Sequence, residues 1–332
     1  MDGVVRNELK ASVTAESYPI SKRIDGSDIA IQTIRIEGGG EGPCLLLNCG
    51  THGDEPEGHS ALLDLVDRVD PGALRGTVIG ITALNYPAYE HRKRGNPLDD
   101  WYYDLNRIFP GSPDGSITQR IAHRVCTDIL PQADLVLDLH SGGANIYVGA
   151  RLIVPDDGEQ HLRLAQAMGP DWPLLAKGAG ARAGIASFTN IAAELGKPCV
   201  TIELGGANHR RPEFYTGDVK TTYDGIVNVM RAYDMLDGQP RYADEWVMVD
   251  YEPLRNTYGG LIRYASACRL MASVTEGTLL MTIVDALGRP VEELRAPFDM
   301  IILSVPGQPF LPNGGAQVMT MGRVVRKITR DA

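Results

Sequence analysis

Positive charge, paired cysteines and long apolar runs are all scarce in this chain. Its 332 residues carry 32 Lys and Arg against 42 Asp and Glu, a net charge of −10. That balance argues against a nucleic-acid partner, whose affinity comes from Lys and Arg neutralising phosphates. It leaves small anionic ligands open, because a few arginines can reverse the field inside a cleft. Five cysteines (Cys44, Cys49, Cys126, Cys199, Cys268) stand without C-x-x-C spacing, and an odd number makes a poor disulfide framework, so buried reduced thiols are expected. No apolar run approaches the roughly 20 residues that a membrane helix needs. The start, Met1-Asp-Gly-Val-Val-Arg6, lacks a basic segment leading into an apolar one. These absences predict a cytoplasmic protein with neither a membrane nor a nucleic-acid partner, and leave open whether it forms a homo-oligomer.

What is present suffices for a substantial core: 43% of residues are hydrophobic and 22% charged. Ile29–Ile36 alternates weakly and ends in Gly38-Gly-Gly40, as an edge strand and turn would. Cys44–Asn48, Val78–Leu84, Val136–His140 and Cys199–Leu204 are short, nearly continuous apolar runs, suited to strands covered on both faces. Between them, Leu62, Leu65, Val66 and Val69 fall at helical spacing before Asp70-Pro71-Gly72. Ser116-x-x-Gln119 has capping-box form ahead of Ile117, Ile121, Val125 and Ile129 on one helical face. Phe188–Leu195 reads as a helix closed by Gly196, and Val219–Leu236 as a last long helix. Beyond Asp237-Gly-Gln-Pro240 only short strand-like runs remain (Trp246–Val249, Leu279–Val284, Met300–Val305, Gln317–Met321), separated by turn residues. The expectation is an α/β unit over residues 1–240 and a small all-β domain over 241–332.

The chemistry concentrates at the ends of the apolar runs. His52-Gly-Asp-Glu55-Pro-Glu-Gly58 directly follows Cys44–Cys49. An imidazole and a carboxylate three residues apart at a helix entrance project to one side and can share an ion. Zinc held by two ligands close in sequence and a third from afar, with one position left for water, is the pattern of a hydrolytic site. His140, ending Val136-Leu-Asp-Leu-His140, supplies the distant ligand, and Asp138 on the same strand face reads either as a residue that orients it or as a buried strand Asp bonded to backbone. Glu203, in Thr201-Ile-Glu203-Leu-Gly-Gly206, is a carboxylate in an apolar run, costly to bury without a partner such as a metal-activated water. All four residues sit at or just past the carboxyl ends of expected strands, where open α/β sheets gather ligands. The Gly pairs after His140 and Glu203 would let backbone approach a metal or substrate. Asp104-Leu-Asn106-Arg107 offers a guanidinium fork beside an amide, a pair suited to an anionic substrate end. Arg92 and Lys93 read as a solvated basic loop. His59 reads as a helix-surface or orienting residue, His91, His123 and His161 as surface, and His209 as either a loop residue or a substrate contact. Asp99-Asp100 suggests selection for a substrate that also carries an amine.

Taken in order, His52-Gly-Asp-Glu55-Pro-Glu-Gly58, Asn85-Tyr-Pro-Ala88, Asp104-Leu-Asn106-Arg107, Asp138-Leu-His140-Ser-Gly-Gly143 and Ile202-Glu203-Leu-Gly-Gly206 resemble the succinylglutamate desuccinylase/aspartoacylase family of the zinc carboxypeptidase-like superfamily. The Asn-Tyr-Pro-Ala stretch and the run Leu105-Asn-Arg-Ile-Phe-Pro-Gly111 look most like its N-acetyl-diaminobutyrate deacetylases. The resemblance implies a mixed sheet flanked by helices with a C-terminal β domain. It implies one zinc per chain on His52, Glu55 and His140, Glu203 as general base, and Asn106 with Arg107 on a substrate carboxylate. Arg94, nine residues after Asn85, takes the place of the family's arginine that polarises the scissile carbonyl. The stretch from Arg94 to Asp104, including Trp101-Tyr-Tyr103, looks longer than in aspartoacylase itself. Gly277–Phe298 resembles a lipoyl-type β module, yet no Lys stands at the tip where a carrier would be modified, so a structural role is expected.

The activity expected is hydrolysis of a small N-acyl amino acid or diamino acid, with acetyl the leading acyl group. A zinc carboxypeptidase or a zinc esterase would use the same residues. A non-catalytic metal- or ligand-binding protein is the reading from another class, but a retired site usually lacks a ligand, the base or the anion grip.

Overall fold

The computed structural model describes residues 4–100, 104–177, 186–207 and 211–330. Strands β1 (Val5–Lys10), β2 (Val13–Lys22), β3 (Asp28–Glu37), β4 (Gly40–Cys49), β5 (Arg75–Ile81), β6 (Leu135–His140), β7 (Ile146–Val154), β8 (Leu174–Lys177), β9 (Cys199–Gly206) and β10 (Glu245–Arg255) build the body of the protein. They are followed by β11 (Gly260–Tyr264), β12 (Ser273–Val274), β13 (Leu279–Val284), β14 (Pro290–Arg295), β15 (Met300–Ile302), β16 (Ser304–Pro306), β17 (Phe310–Leu311) and β18 (Gln317–Thr329). Among the described residues one 14-stranded sheet runs β1-β2-β3-β5-β4-β6-β9-β7-β8-β10-β18-β15-β12, with β16 beside β7. Its centre is parallel, β5-β4-β6-β9, and β3 and β7 flank that centre antiparallel. The fold is therefore a mixed sheet with flanking helices and additional C-terminal antiparallel strands.

The apolar runs lie at the sheet centre because both faces are covered. Alternation along β4 sends Leu45 and Leu47 to one core, with Leu62 and Leu65 of helix Glu57–Arg68 and Ile226 and Val229 of helix Pro212–Ala232. Leu46 faces the opposite core, with Ile121, Val125 and Phe188 from the segments starting at Ile117 and Phe188. The capping box forms as the sequence indicates, Ser116 taking the Gln119 N–H while Gln119 reaches back to the N-cap backbone.

Three expectations need correcting. The strand over Ile29–Ile36 is not an edge: β3 is paired on both sides, by β2 and β5, because β1 and β2 extend the sheet beyond it. The last long helix starts at Pro212, not Val219, and ends at Ala232. Its first residues are mostly exposed, so no apolar face marked them, and Asp234 adopts φ +56°, which stops the helix before Leu236. Strands β7 and β8 and helix Glu159–Gln166 were not expected at all. Ile146-Tyr-Val-Gly-Ala-Arg-Leu-Ile-Val154 carries a strand signal in its β-branched and aromatic residues, and it brings Arg151 into the sheet.

The C-terminal strands contribute twice. β10 pairs in parallel with β8 and antiparallel with β18, continuing the main sheet. A second sheet, β14-β13-β11-β17, packs with β15 and β18 of the main sheet around an apolar cluster that includes Leu280, Met281, Ile283 and Val318.

Candidate metal centre and active-site cavity

β4, β6 and β9 end side by side, which gathers residues far apart in sequence. Leaving β4, the chain turns at Gly50 (φ +65°), and the next glycine, Gly53, packs so tightly that a Cβ would lie 2.0 Å from the Ala88 carbonyl carbon. This turn delivers His52 and Glu55 ahead of helix Glu57–Arg68. His140 ends β6 and pairs across the sheet with Glu203 of β9.

His52, Glu55 and His140 converge. His52 Nδ1 lies 2.9 Å from Glu55 Oε1, His140 Nδ1 lies 2.8 Å from Glu55 Oε2, and the two Nδ1 atoms are 3.1 Å apart. All three residues are buried and their ligand atoms fall within 4.8 Å of one another. The opposite nitrogens face carboxylates: His52 Nε2 is 3.2 Å from Asp104 Oδ1, and His140 Nε2 is 3.1 Å from Asp138 Oδ2. Each carboxylate favours the Nε2–H tautomer, which turns both Nδ1 lone pairs inward. Two imidazole acceptors and a carboxylate aimed at one point are satisfied by a cation, so the donor set fits a divalent metal.

The electrostatics agree. Burial alone would push the His140 imidazole down, but Asp138 and Glu55 outweigh it and hold its pKa well above the ordinary histidine value. His52 is likewise raised against its burial, by Glu55 and Asp104. Glu55 is held well below the usual carboxylate range, the two imidazoles overcoming the upward push of burial. The cluster is built to attract positive charge.

Asp104, to which the sequence assigns no role beside Asn106 and Arg107, turns toward the cluster: its Oδ1 faces His52 and also takes the Asn106 backbone N–H at 3.0 Å, while Oδ2 takes Arg94 Nε–H at 3.0 Å. Arg94 is thereby held beside the cluster, with Nη1 3.7 Å from Glu55 Oε1. Asn106 spends its side-chain oxygen on the Phe188 N–H at 3.0 Å, and Arg107 is exposed. Asn48, its partner across β4 and β6, supports Asp138, its Nδ2 donating to Oδ1 at 2.7 Å.

His52, Glu55, His140, Arg94, Asn106, Arg107 and Glu203 all line one cavity of about 830 Å³. Tyr251, Phe310 and Gln317 from the C-terminal strands complete its wall. Arg151 also lines it, a buried arginine that the sequence reading missed together with its strand.

Other expectations are corrected. Asp99 is buried and accepts from the Ser116 hydroxyl and from the N–H groups of Ile117 and Thr118, so it caps a helix instead of facing a substrate amine. Gly206 serves packing: a Cβ there would lie 2.4 Å from the Ile146 carbonyl oxygen. His59, as expected, sits outside the cluster, its Nδ1 3.0 Å from the Tyr89 hydroxyl. His161 is buried rather than on the surface, its Nδ1 3.1 Å from the Cys199 N–H nitrogen. His209 and Trp101-Tyr-Tyr103 lie outside the described residues.

The succinylglutamate desuccinylase/aspartoacylase catalytic domain model matches residues 41–233, more than half of the chain. The chain belongs to this family. It is 32% identical to the N-alpha-acetyl-L-2,4-diaminobutyric acid deacetylase of Halomonas elongata, over 98% of this chain and 94% of that protein. The product-bound ectoine utilization protein of Ruegeria pomeroyi superimposes with a TM-score of 0.82 at 27% identity, covering 96% of this chain and 98% of its own. A succinylglutamate desuccinylase from Silicibacter sp. TM1040 gives 0.82 at 26% identity, covering 98% and 99%. The fold and the family thus agree with the expectation from the motifs, and membership supports amide hydrolysis of N-acyl amino acids. No helix among the described residues is long and apolar enough to cross a membrane.

Proposed function

We propose that this chain is a zinc-dependent deacylase that removes an acyl group, acetyl foremost, from a small N-acyl amino acid or diamino acid. One observation carries the reading: the His52–Glu55–His140 cluster shares a cavity with a carboxylate on the adjoining strand, Glu203, and with the basic residues Arg94 and Arg107. Zinc held by His52, Glu55 and His140 would supply Lewis acidity, lowering the pKa of water toward neutrality. Glu203 takes the proton from the attacking water and passes it to the leaving amine. Arg94 donates to the carbonyl oxygen as negative charge develops there. Asn106 and Arg107 hold the substrate carboxylate and supply orientation rather than chemistry. The deacetylase named among the relatives acts on an N-acetylated diamino acid, which makes that compound the leading candidate substrate. Residues 1–240 are read as the catalytic unit and 241–332 as the β unit that walls the cavity, supported by Tyr251, Phe310 and Gln317 on its lining.

The test is Glu203→Gln. It should keep zinc at the level of the unaltered protein and lose turnover by about 10²–10⁴-fold, the usual worth of a general base. Near-normal turnover would remove Glu203 from that role.

A further inference from the structure

His140, Glu203 and Arg151 stand abreast on three adjoining strands: His140 pairs with Glu203 across β6 and β9, and Glu203 with Arg151 across β9 and β7. Arg151 Nη2 lies 3.4 Å from Glu203 Oε2, and the two side chains are 6% and 19% exposed. A buried guanidinium is costly unless its charge and its N–H groups are matched. Here the matching is sparse. Nη1 reaches the Leu303 carbonyl at 3.4 Å, the guanidinium carbon lies 5.8 Å from the centre of the Tyr251 ring, and Nε makes no hydrogen bond among the described residues. An arginine placed for stability alone would be better satisfied, or replaced by an apolar residue. The carboxylate facing Arg151 is that of Glu203, so the ion pair is the feature that accounts for the residue.

We propose that Arg151 is a positioning residue for Glu203. By engaging Oε2 it fixes the plane of the carboxylate and leaves Oε1 to take the proton. Arg suits this task because its guanidinium keeps its charge when buried. The Leu303 carbonyl and the Tyr251 ring also contact the guanidinium, which links the geometry of the base to the C-terminal strands. Displacing a reacting group by about 1 Å costs on the order of 10²-fold in rate, so loss of this brace should be felt in turnover rather than in substrate binding.

The inference rests on Glu203 being the base, and the experiment separates the two. Arg151→Met and Arg151→Lys are compared with the unaltered protein, with Glu203→Gln and with the double variant Arg151→Met/Glu203→Gln, all zinc-loaded. Expected is a fall in kcat of about 100-fold for Arg151→Met with KM held within about twofold, and partial recovery in Arg151→Lys. Adding Arg151→Met to Glu203→Gln should cost nothing further, because the brace then has no base to serve. A crystal structure of Arg151→Met should show the Glu203 carboxylate turned, with zinc content unchanged. A raised KM at preserved kcat would overturn the proposal and make Arg151 a ligand for a substrate carboxylate. Unchanged kcat and KM, or a further loss in the double variant, would overturn it as well. If Arg151→Met does not fold, Arg151→Lys decides: lowered kcat at constant KM supports the proposal, and unaltered kinetics sink it. A Glu203→Gln variant with the normal rate removes both readings, whereas an inactive Glu203→Gln beside a fully active Arg151→Met removes only this one.

Discussion

Asp138 Oδ2 lies 3.1 Å from His140 Nε2, both buried on β6, the strand between β4 and β9. The carboxylate is itself anchored by Asn48, whose amide also reaches the Thr51 hydroxyl at 2.9 Å. Orientation of an imidazole in the candidate metal cluster is thus inherited from the strand order. Asp138→Asn should lower zinc affinity about 10–100-fold, as loss of such supporting partners does. Turnover should return toward normal once zinc is saturating. Zinc titration followed by rate measurement checks both halves.

Asp104→Asn should behave differently. Asp104 serves His52, Arg94 and the Asn106 backbone at once, so saturating zinc cannot restore all three. The expected result is weaker zinc binding together with a kcat that stays depressed at saturation, and a full rescue by zinc would contradict it.

Arg107→Ala should act on binding. Loss of a charge-assisted contact worth about 1.5–3 kcal/mol should raise KM about 10–150-fold and leave kcat within about threefold. Steady-state kinetics on an N-acyl amino acid read this directly, and a collapse of kcat at constant KM would assign Arg107 to the chemical step instead.

Asp99→Ala should cost stability and leave selectivity untouched. The carboxylate accepts from several groups at the start of helix Ile117–Arg124, and losing such a cap destabilises a protein by about 1–2 kcal/mol. A lower denaturant midpoint with unchanged preference between mono- and diamino substrates is expected. A change in that preference would return Asp99 to the substrate.

Much of the site was legible because metal chemistry restricts residue types and strand ends restrict their positions. His52, Glu55, His140 and Glu203 each sit at or just past the carboxyl end of an apolar run, and the structure sets them around one cavity. Asp138 was legible through strand periodicity, two residues from His140 on the same face. Asp104 was not, because its partners His52 and Arg94 are far away in sequence and its neighbour Arg107 suggested anion binding. Arg151 was hidden by its strand: β7 joins the sheet antiparallel after β9 in spatial order, and nothing local to residues 146–154 announces Glu203 as its partner. Asp99 misled for the opposite reason, since an acidic pair in a loop looks like a ligand until the helix it caps is in place. The exposed first turns of helix Pro212–Ala232 left no periodicity to read.

The central claim is metal-dependent deacylation, and amine release tests it most directly. Zinc-loaded protein would be offered a panel of N-acetyl and N-succinyl amino acids, diamino acids included, before and after chelation. The account predicts turnover of at least one N-acyl amino acid, abolished by the chelator and restored by zinc. Turnover that persists in metal-free protein, or none across the panel with zinc bound, would contradict it.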